Sequence, residues 1–280
     1  QNRLDIFVIC SPGLEVVTGA EMLRLGIKPE KVEAGGISCR GSIQDVMRLN
    51  LWLRAASRVV VRVATFHAST FHELERRARK IEWSRFLDAG SAVGFRVTCR
   101  KSKLYHSDAV AERFTRALSE QIKGVRVDPS QESDDDESSS TTQQFIVRLF
   151  RDDVTVSIDS SGDLLHRRGY RLATAKAPIR ESLAAAILLG AEWSGMNPLL
   201  DPLCGSGTLA IEGAMIAAEQ TQEIRTPALA PAHVARVIDE TGKVGVLEID
   251  AHRKHVAARA VDVDQPAGEI GPVALCGRRA

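Results

Sequence analysis

The stretch NPLLDPLCGSGTLAIEGAMIAA, residues 197–218, constrains this chain more than any other. A short apolar run ends on Asp201, a turn with Gly205 and Gly207 follows, and a run of helix-forming residues begins at Thr208. Such a segment folds as strand, turn and helix, and its glycines let backbone and ligand approach closely. Gly205, Gly207 and Ala210 formally satisfy the dinucleotide pattern GxGxxA. No lysine follows the second glycine, so the loop is not of the GxxxxGK[ST] phosphate type. The next acids at a strand end, Glu248 and Asp250, come about 40 residues later, whereas a dinucleotide fold places its ribose acid about 20 residues on. Asp201 would also meet a pyrophosphate as a like charge. The α-ammonium of S-adenosylmethionine removes that conflict, because a carboxylate attracts it while the glycines admit the rest of the ligand. The alternative is a purely structural strand-to-helix turn.

The segments upstream alternate in type. DIFVIC reads as a strand, Ser11-Pro12-Gly13 as a turn and Glu15 to Leu25 as an amphipathic helix. VEAGGISCRGS reads as a hairpin, the segment from Ser42 as a second helix capped by that serine, and RVVVRVATF as a strand. This makes an α+β unit over residues 1–65. A helix (FHELERRARKI), a strand (AVGFRVTCRKSKLY), a helix with Ser107 as its expected cap, and two strands around a turn at Asp152-Asp153 make a second unit over 66–160. Residues 128–142 interrupt it with an acidic, low-complexity run that cannot build a core and is expected to be a disordered insertion. Helix, strand, glycine loop and helix then follow one another over 161–280, the rhythm of a parallel α/β sheet.

Composition matters mainly through its distribution. A net charge of +1 hides 15 Lys/Arg against 7 Asp/Glu between Leu51 and Gly124, and six acids with no base between Asp128 and Glu137. The basic region suits a polyanion, and a solvated basic surface is the alternative. The five cysteines are scattered without a CxxC spacing, and the seven histidines form no ligand set, His252 and His255 included. A disulfide framework and a metal site are therefore not expected, and a reducing cytoplasm is. No apolar run reaches the roughly 18 to 20 residues that a membrane span needs.

With these motifs in hand, the chain resembles the THUMP-containing RNA guanine-N2 methyltransferases, in particular those acting on bacterial large-subunit ribosomal RNA. The likeness covers DPLCGSGTLAIEGAMIA, the preceding LLHRRGYRLATAKAPIRESLAAAILLGAEW, the CRKSKLYHSDAVAERF stretch, and FVICSPGLEVVTGAEMLRLG with GSIQDVMRLNLWLRAASRVVVRV near the start. It implies a Rossmann-like methyltransferase domain, incomplete at its C-terminal side, preceded by an α+β ferredoxin-like and THUMP RNA-binding module. It implies S-adenosyl-L-methionine as cofactor, held by Asp201, Gly205 and Gly207 with Pro202, Cys204, Ser206 and Thr208 completing the turn. Glu248 falls where the family's ribose-binding acid stands, with Asp250 its neighbour, and Tyr170 borders the cleft. Arg100, Lys101, Lys103, Tyr105 and His106, together with Arg168 and Arg171, are the implied RNA contacts. Arginine and lysine supply phosphate affinity and an aromatic ring can stack on a base.

The family's Asn/Asp-Pro-Pro-aromatic catalytic motif does not occur among the 280 residues. The resemblance therefore names no catalytic residue, and the expectation is a chain that lacks native segments, binds the cofactor weakly and transfers essentially no methyl group. Three other readings stay open: the same chemistry on transfer RNA, a non-catalytic RNA-binding protein with a vestigial methyltransferase fold, and a nicotinamide-dependent oxidoreductase. Asp201 and the acid spacing disfavour the last.

Overall fold

A computed structural model describes residues 3–127, 142–168, 170, 178–223, 234–238, 244–250 and 255–259. The chain divides into two compact units, Gln1–Leu165 and His166–Ala280.

The first unit opens with β1 (Leu4–Cys10), α1 (Glu15–Arg24), β2 (Lys31–Glu33), β3 (Gly36–Gly41), α2 (Ile43–Trp52) and β4 (Ala56–His67). It continues with α3 (Phe71–Ala78), a 3₁₀ turn (Trp83–Arg85), β5 (Ala92–Arg100), α4 (Ser107–Gln121), β6 (Arg126–Val127), β7 (Thr142–Phe150) and β8 (Asp153–Asp159). All eight strands form one sheet in the order β2-β3-β1-β4-β8-β7-β5-β6. The first four have the strand–helix–strand–strand–helix–strand arrangement of a ferredoxin-like fold. β4 joins the halves: Asp5 to Cys10 pair along its first part, and Asp153 to Asp159 along its second. A register shift between Arg62 and Ala64 re-aims the strand between the two pairings. The boundary expected near residue 65 falls inside this strand.

Two hydrophobic clusters lie along the sheet. One gathers Ile6, Met22, Ile37 and Leu49, and the other Trp83, Phe95, Phe114 and Phe145; Ile158 packs against both. Trp83 meets Phe95, Phe114 and Phe145 edge-on at 5.2–6.3 Å, a geometry its quadrupole favours. The expected cap at Ser42 is present as a capping box with Asp45. The expected cap at Ser107 is not: the amide of Val110 bonds the carbonyl of His106, so α4 starts one residue earlier and His106 takes the cap position without a side-chain bond.

The second unit contains α5 (Glu181–Gly190), β9 (Leu200–Asp201), α6 (Thr208–Glu223), β10 (Val234–Ile238), β11 (Val244–Asp250) and β12 (His255–Arg259). Its sheet runs β12-β11-β10-β9. β9 and β10 are parallel across α6, as the sequence rhythm predicts, but β10–β11 and β11–β12 are antiparallel. Only residues 239–243 and 251–254 connect those pairs. A parallel crossover takes a dozen or more residues, so hairpins are what such lengths allow. The acidic run expected at 128–142 lies, except for Thr142, outside the described residues.

The capping box gives a pH signature. The Ser42 amide, then its hydroxyl, hold the Asp45 carboxyl below the ordinary carboxylate range. A folded-state pKa lowered in this way adds stability above the unfolded value of about 3.9, which is lost as pH falls through the folded value. Thermal melts should show Asp45→Asn destabilising at pH 7 and converging on the wild type near pH 2; an equal effect at both pH values would contradict the role of the charge.

Candidate functional site

β9 delivers Asp201 to the glycine turn as a buried residue. Its Oδ1 accepts the Leu203 amide at 3.1 Å, and its Oδ2 has no hydrogen-bond partner among the described residues. The Gly207 amide then donates to the Cys204 carbonyl at 2.7 Å, and the Ile211 amide to the Gly207 carbonyl at 2.9 Å, which starts α6. The Ser206 and Thr208 hydroxyls stand 3.2 Å apart across this turn. Gly205 (φ +53°) and Gly207 (φ +75°) occupy the left-handed region, where a side chain is strained. A Cβ on Gly207 would meet nothing within 4 Å, so the space beside it is open to a ligand. Leu203 is 90% exposed and takes no part in packing the turn. Pro202 and Cys204 complete the loop, with the Cys204 thiol directed to the Gly205 carbonyl at 3.9 Å.

α6 is seated closely against the residues that precede β9. A Cβ on Gly213 would lie 2.6 Å from the Leu199 side chain, and one on Gly195 (φ +80°) 2.7 Å from the Cα of Ala217. The Trp193 indole donates to the Asn197 carbonyl at 3.1 Å and closes that turn.

Sequence reading missed Glu212. This residue of α6 is 0% exposed, and its carboxylate accepts from Arg168 Nη1 at 2.7 Å and from the Tyr170 hydroxyl at 2.8 Å. Burial, reinforced by the Glu212 charge, pushes the Tyr170 phenol well above its ordinary pKa and keeps it a donor. Its one sequence signal was a lone acid in the otherwise apolar run LAIEGAMIAA. Arg168 and Tyr170, expected at an RNA and cofactor cleft, are thus brought together on α6, with the Arg168 side chain only 15% exposed. Arg171 and Gly169 lie outside the described residues. Glu248 and Asp250 stand on β11, where Glu248 pairs with Val234 while Asp201 pairs with Val237. The register sets Glu248 toward the opposite end of β10 from Asp201 and does not bring the two acids to the glycine turn.

In the first unit, Arg100, Lys101, Lys103, Tyr105 and His106 are all exposed around the buried anchor Leu104. Lys101 takes a left-handed conformation (φ +50°). The Lys103 amide donates to Asp152 Oδ1 at 2.7 Å and the Asp152 amide to Ser102 Oγ at 3.0 Å, which joins this loop to the β7–β8 turn. The parallel register pairs Arg100 with Phe150 and Thr98 with Arg148. Arg148, Phe150 and Arg151, absent from the sequence reading, therefore extend the basic sheet end. The Arg151 guanidinium lies 5.2 Å from the Phe150 ring centroid, and Tyr105, 70% exposed, sits 4.1 Å from the His106 ring. Their signal was QQFIVRLFRDD, whose alternation exposes every second residue.

Other chemistries find little support. Burial raises the Cys10 and Cys99 thiols and pushes Cys39 up to about 12, which makes them poor nucleophiles. Among the described residues, no group of His, Cys, Asp and Glu could hold a metal ion, and no helix is long and apolar enough to cross a membrane.

The first four strands and the strand–glycine loop–helix unit define the class: a ferredoxin-like module followed by a Rossmann-like nucleotide-cofactor domain. Family comparison makes it particular. Residues 168–267 match the RMKL-like methyltransferase domain family UPF0020, and residues 5–60 match the RlmL ferredoxin-like domain, so the chain carries both. The ribosomal RNA large subunit methyltransferase K/L of Syntrophotalea carbinolica (strain DSM 2380 / NBRC 103641 / GraBd1) is 35% identical over 80% of this chain and 31% of its own length. SMU.472, a provisionally assigned methyltransferase solved in complex with SAH, is 31% identical with a TM-score of 0.66, over 78% of this chain and 56% of its own. A Listeria monocytogenes str. 4b F2365 protein, named by prediction an N6-adenine-specific DNA methylase, is 33% identical with a TM-score of 0.69 over the same shares. The chain spans 29% to 55% of the length of the curated relatives it matches.

Gly207, open, and Gly195, crowded, separate strain from crowding. Gly207→Ala should cost roughly 1–2 kcal/mol, the left-handed penalty alone. Gly195→Ala should add an overpacking cost of about 1–3 kcal/mol against Ala217. Urea unfolding of both variants checks the order, and equal losses would contradict the close seating of α6.

Proposed function

We propose that this chain belongs to an S-adenosylmethionine-dependent RNA methyltransferase whose target is the N2 amine of a guanosine in large-subunit (23S) ribosomal RNA. The carrying observation is the buried Asp201 carboxylate, with one oxygen satisfied by Leu203 and the other without a hydrogen-bond partner among the described residues, beside an open glycine turn. That donor set fits a zwitterionic nucleoside: the free oxygen receives the ammonium, and Gly205 and Gly207 leave room for the chain that carries it. When bound, the cofactor supplies an electrophilic methyl group. The solved neighbour with SAH supports this cofactor, and the methyltransferase K/L relative supports the ribosomal substrate. Guanine N2 rests on the resemblance of DPLCGSGT and HRRGYR to the guanine-N2 enzymes. The exocyclic amine is a weak nucleophile, so the protein's contribution is alignment with the methyl group.

In the same reading, residues 1–65 form the ferredoxin-like domain, 66–160 a THUMP domain and 161–280 the methyltransferase domain. The basic sheet end holds RNA: Arg100, Lys101, Lys103, Arg148 and Arg151 contact phosphates, while Tyr105, His106 and Phe150 offer rings to bases. A ribosomal substrate supports a cytoplasmic location.

Titration calorimetry tests the cofactor reading. The chain should bind S-adenosylhomocysteine in preference to NAD, and Asp201→Ala should weaken that binding at least about tenfold, the order of one charge-assisted contact. Unchanged affinity in the variant, or preference for NAD, would sink the assignment.

A further inference from the structure

Glu212 lies on the second turn of α6, next to Ile211, whose amide closes the glycine turn on the Gly207 carbonyl. Any rotation or slide of the helix at this point moves the loop itself. Three of the contacts that seat α6 among the described residues bear on the glycine turn. The Gly213 and Gly195 contacts are van der Waals approaches to Leu199 and Ala217. The third is polar and directional: Arg168 on one oxygen of Glu212 and Tyr170 on the other. A carboxylate with no exposed surface is costly to bury unless donors reach it, so burial favours the helix rotation that meets Arg168 and Tyr170. Tyr170 cannot ionise near neutrality and remains a donor throughout. Arg168 and Tyr170 reach Glu212 from 44 and 42 residues away in the sequence, so these bonds tie α6 to residues distant along the chain, not to a local turn.

We propose that Glu212 is a positioning residue for the cofactor: through Arg168 and Tyr170 it fixes the rotation of α6 and so presents the Asp201–Thr208 loop preformed to its ligand. The proposal rests on the reading of that loop as a cofactor loop. Glu212 touches no substrate in this scheme. Its effect passes through Ile211 to Gly207, and removing either donor leaves the loop sequence intact while loosening its geometry. Preformed sites bind more tightly because less ordering accompanies binding.

A double-mutant cycle on the 280-residue chain tests this. S-adenosylhomocysteine affinity is measured by calorimetry for wild type, Tyr170→Phe, Glu212→Gln and the double variant, well below their thermal midpoints. Tyr170→Phe should weaken binding about tenfold, the order of one hydrogen bond to a charged group. In the Glu212→Gln background it should change affinity less than twofold further, because the charge-assisted bond that Tyr170→Phe removes is already lost once the carboxylate is an amide. Arg168→Lys, which keeps the charge, supplies the same comparison on the other oxygen if Glu212→Gln does not fold. Lowered thermal midpoints with unchanged affinity would overturn the proposal and leave Glu212 a stabilising residue only. Losses that add in the double variant would overturn it as well. Failure of the wild-type chain to bind S-adenosylhomocysteine is a distinct result, which removes the cofactor reading and the proposal together.

Discussion

A carboxylate buried at the end of a two-residue strand, satisfied among the described residues on one oxygen only, is the constraint on which the second unit depends. Burying such a charge is costly unless it is paired. In Asp201, the Leu203 amide supplies one partner and the open side of the glycine turn leaves the other to a ligand. The rest of the unit serves this arrangement. Gly205 and Gly207 turn the backbone without side chains in the way, β9 and β10 flank α6 in parallel, and Glu212 ties the helix to Arg168 and Tyr170. A phosphate ligand would reverse the logic, since it would face an acid where it needs donors.

The first unit solves a different problem. One long strand, β4, pairs with β1 and then with β8, so two hydrophobic clusters share a sheet. That pairing makes the eight strands continuous, and Ile158 packs against both clusters. At the end where β5 and β7 run side by side, cations and rings alternate in an exposed surface. Of the neighbouring acids, Asp152 is occupied by the Lys103 amide and Asp153 by the His67 ring. This combination suits a flexible polyanion with bases to stack, more than a rigid duplex whose bases are already paired.

Local features were legible in the sequence because their causes are local. The glycine turn, the Ser42 cap, the β2–β3 hairpin and the exposed CRKSKLYH loop each follow from a few adjacent residues. The Glu212 clamp was not legible, because a lone acid in a helix does not show which distant donors will reach it. Phe150 and Arg151 were overlooked because only the pairing of β5 with β7 sets them beside Arg100. Ser107 resembled a cap, but the His106 carbonyl already closes the first turn. Glu248 was placed by family likeness after a second strand, whereas the hairpin register carries it away from the glycine turn.

Hydrogen–deuterium exchange of this chain, alone and with each of two ligands, tests the central claim most directly. S-adenosylhomocysteine should slow exchange in peptides covering 201–211 and leave 98–106 and 148–152 unchanged. Fragments of large-subunit ribosomal RNA should do the reverse. Protection by S-adenosylhomocysteine elsewhere than 201–211, or RNA protection that bypasses the β5–β7 end, would contradict the account.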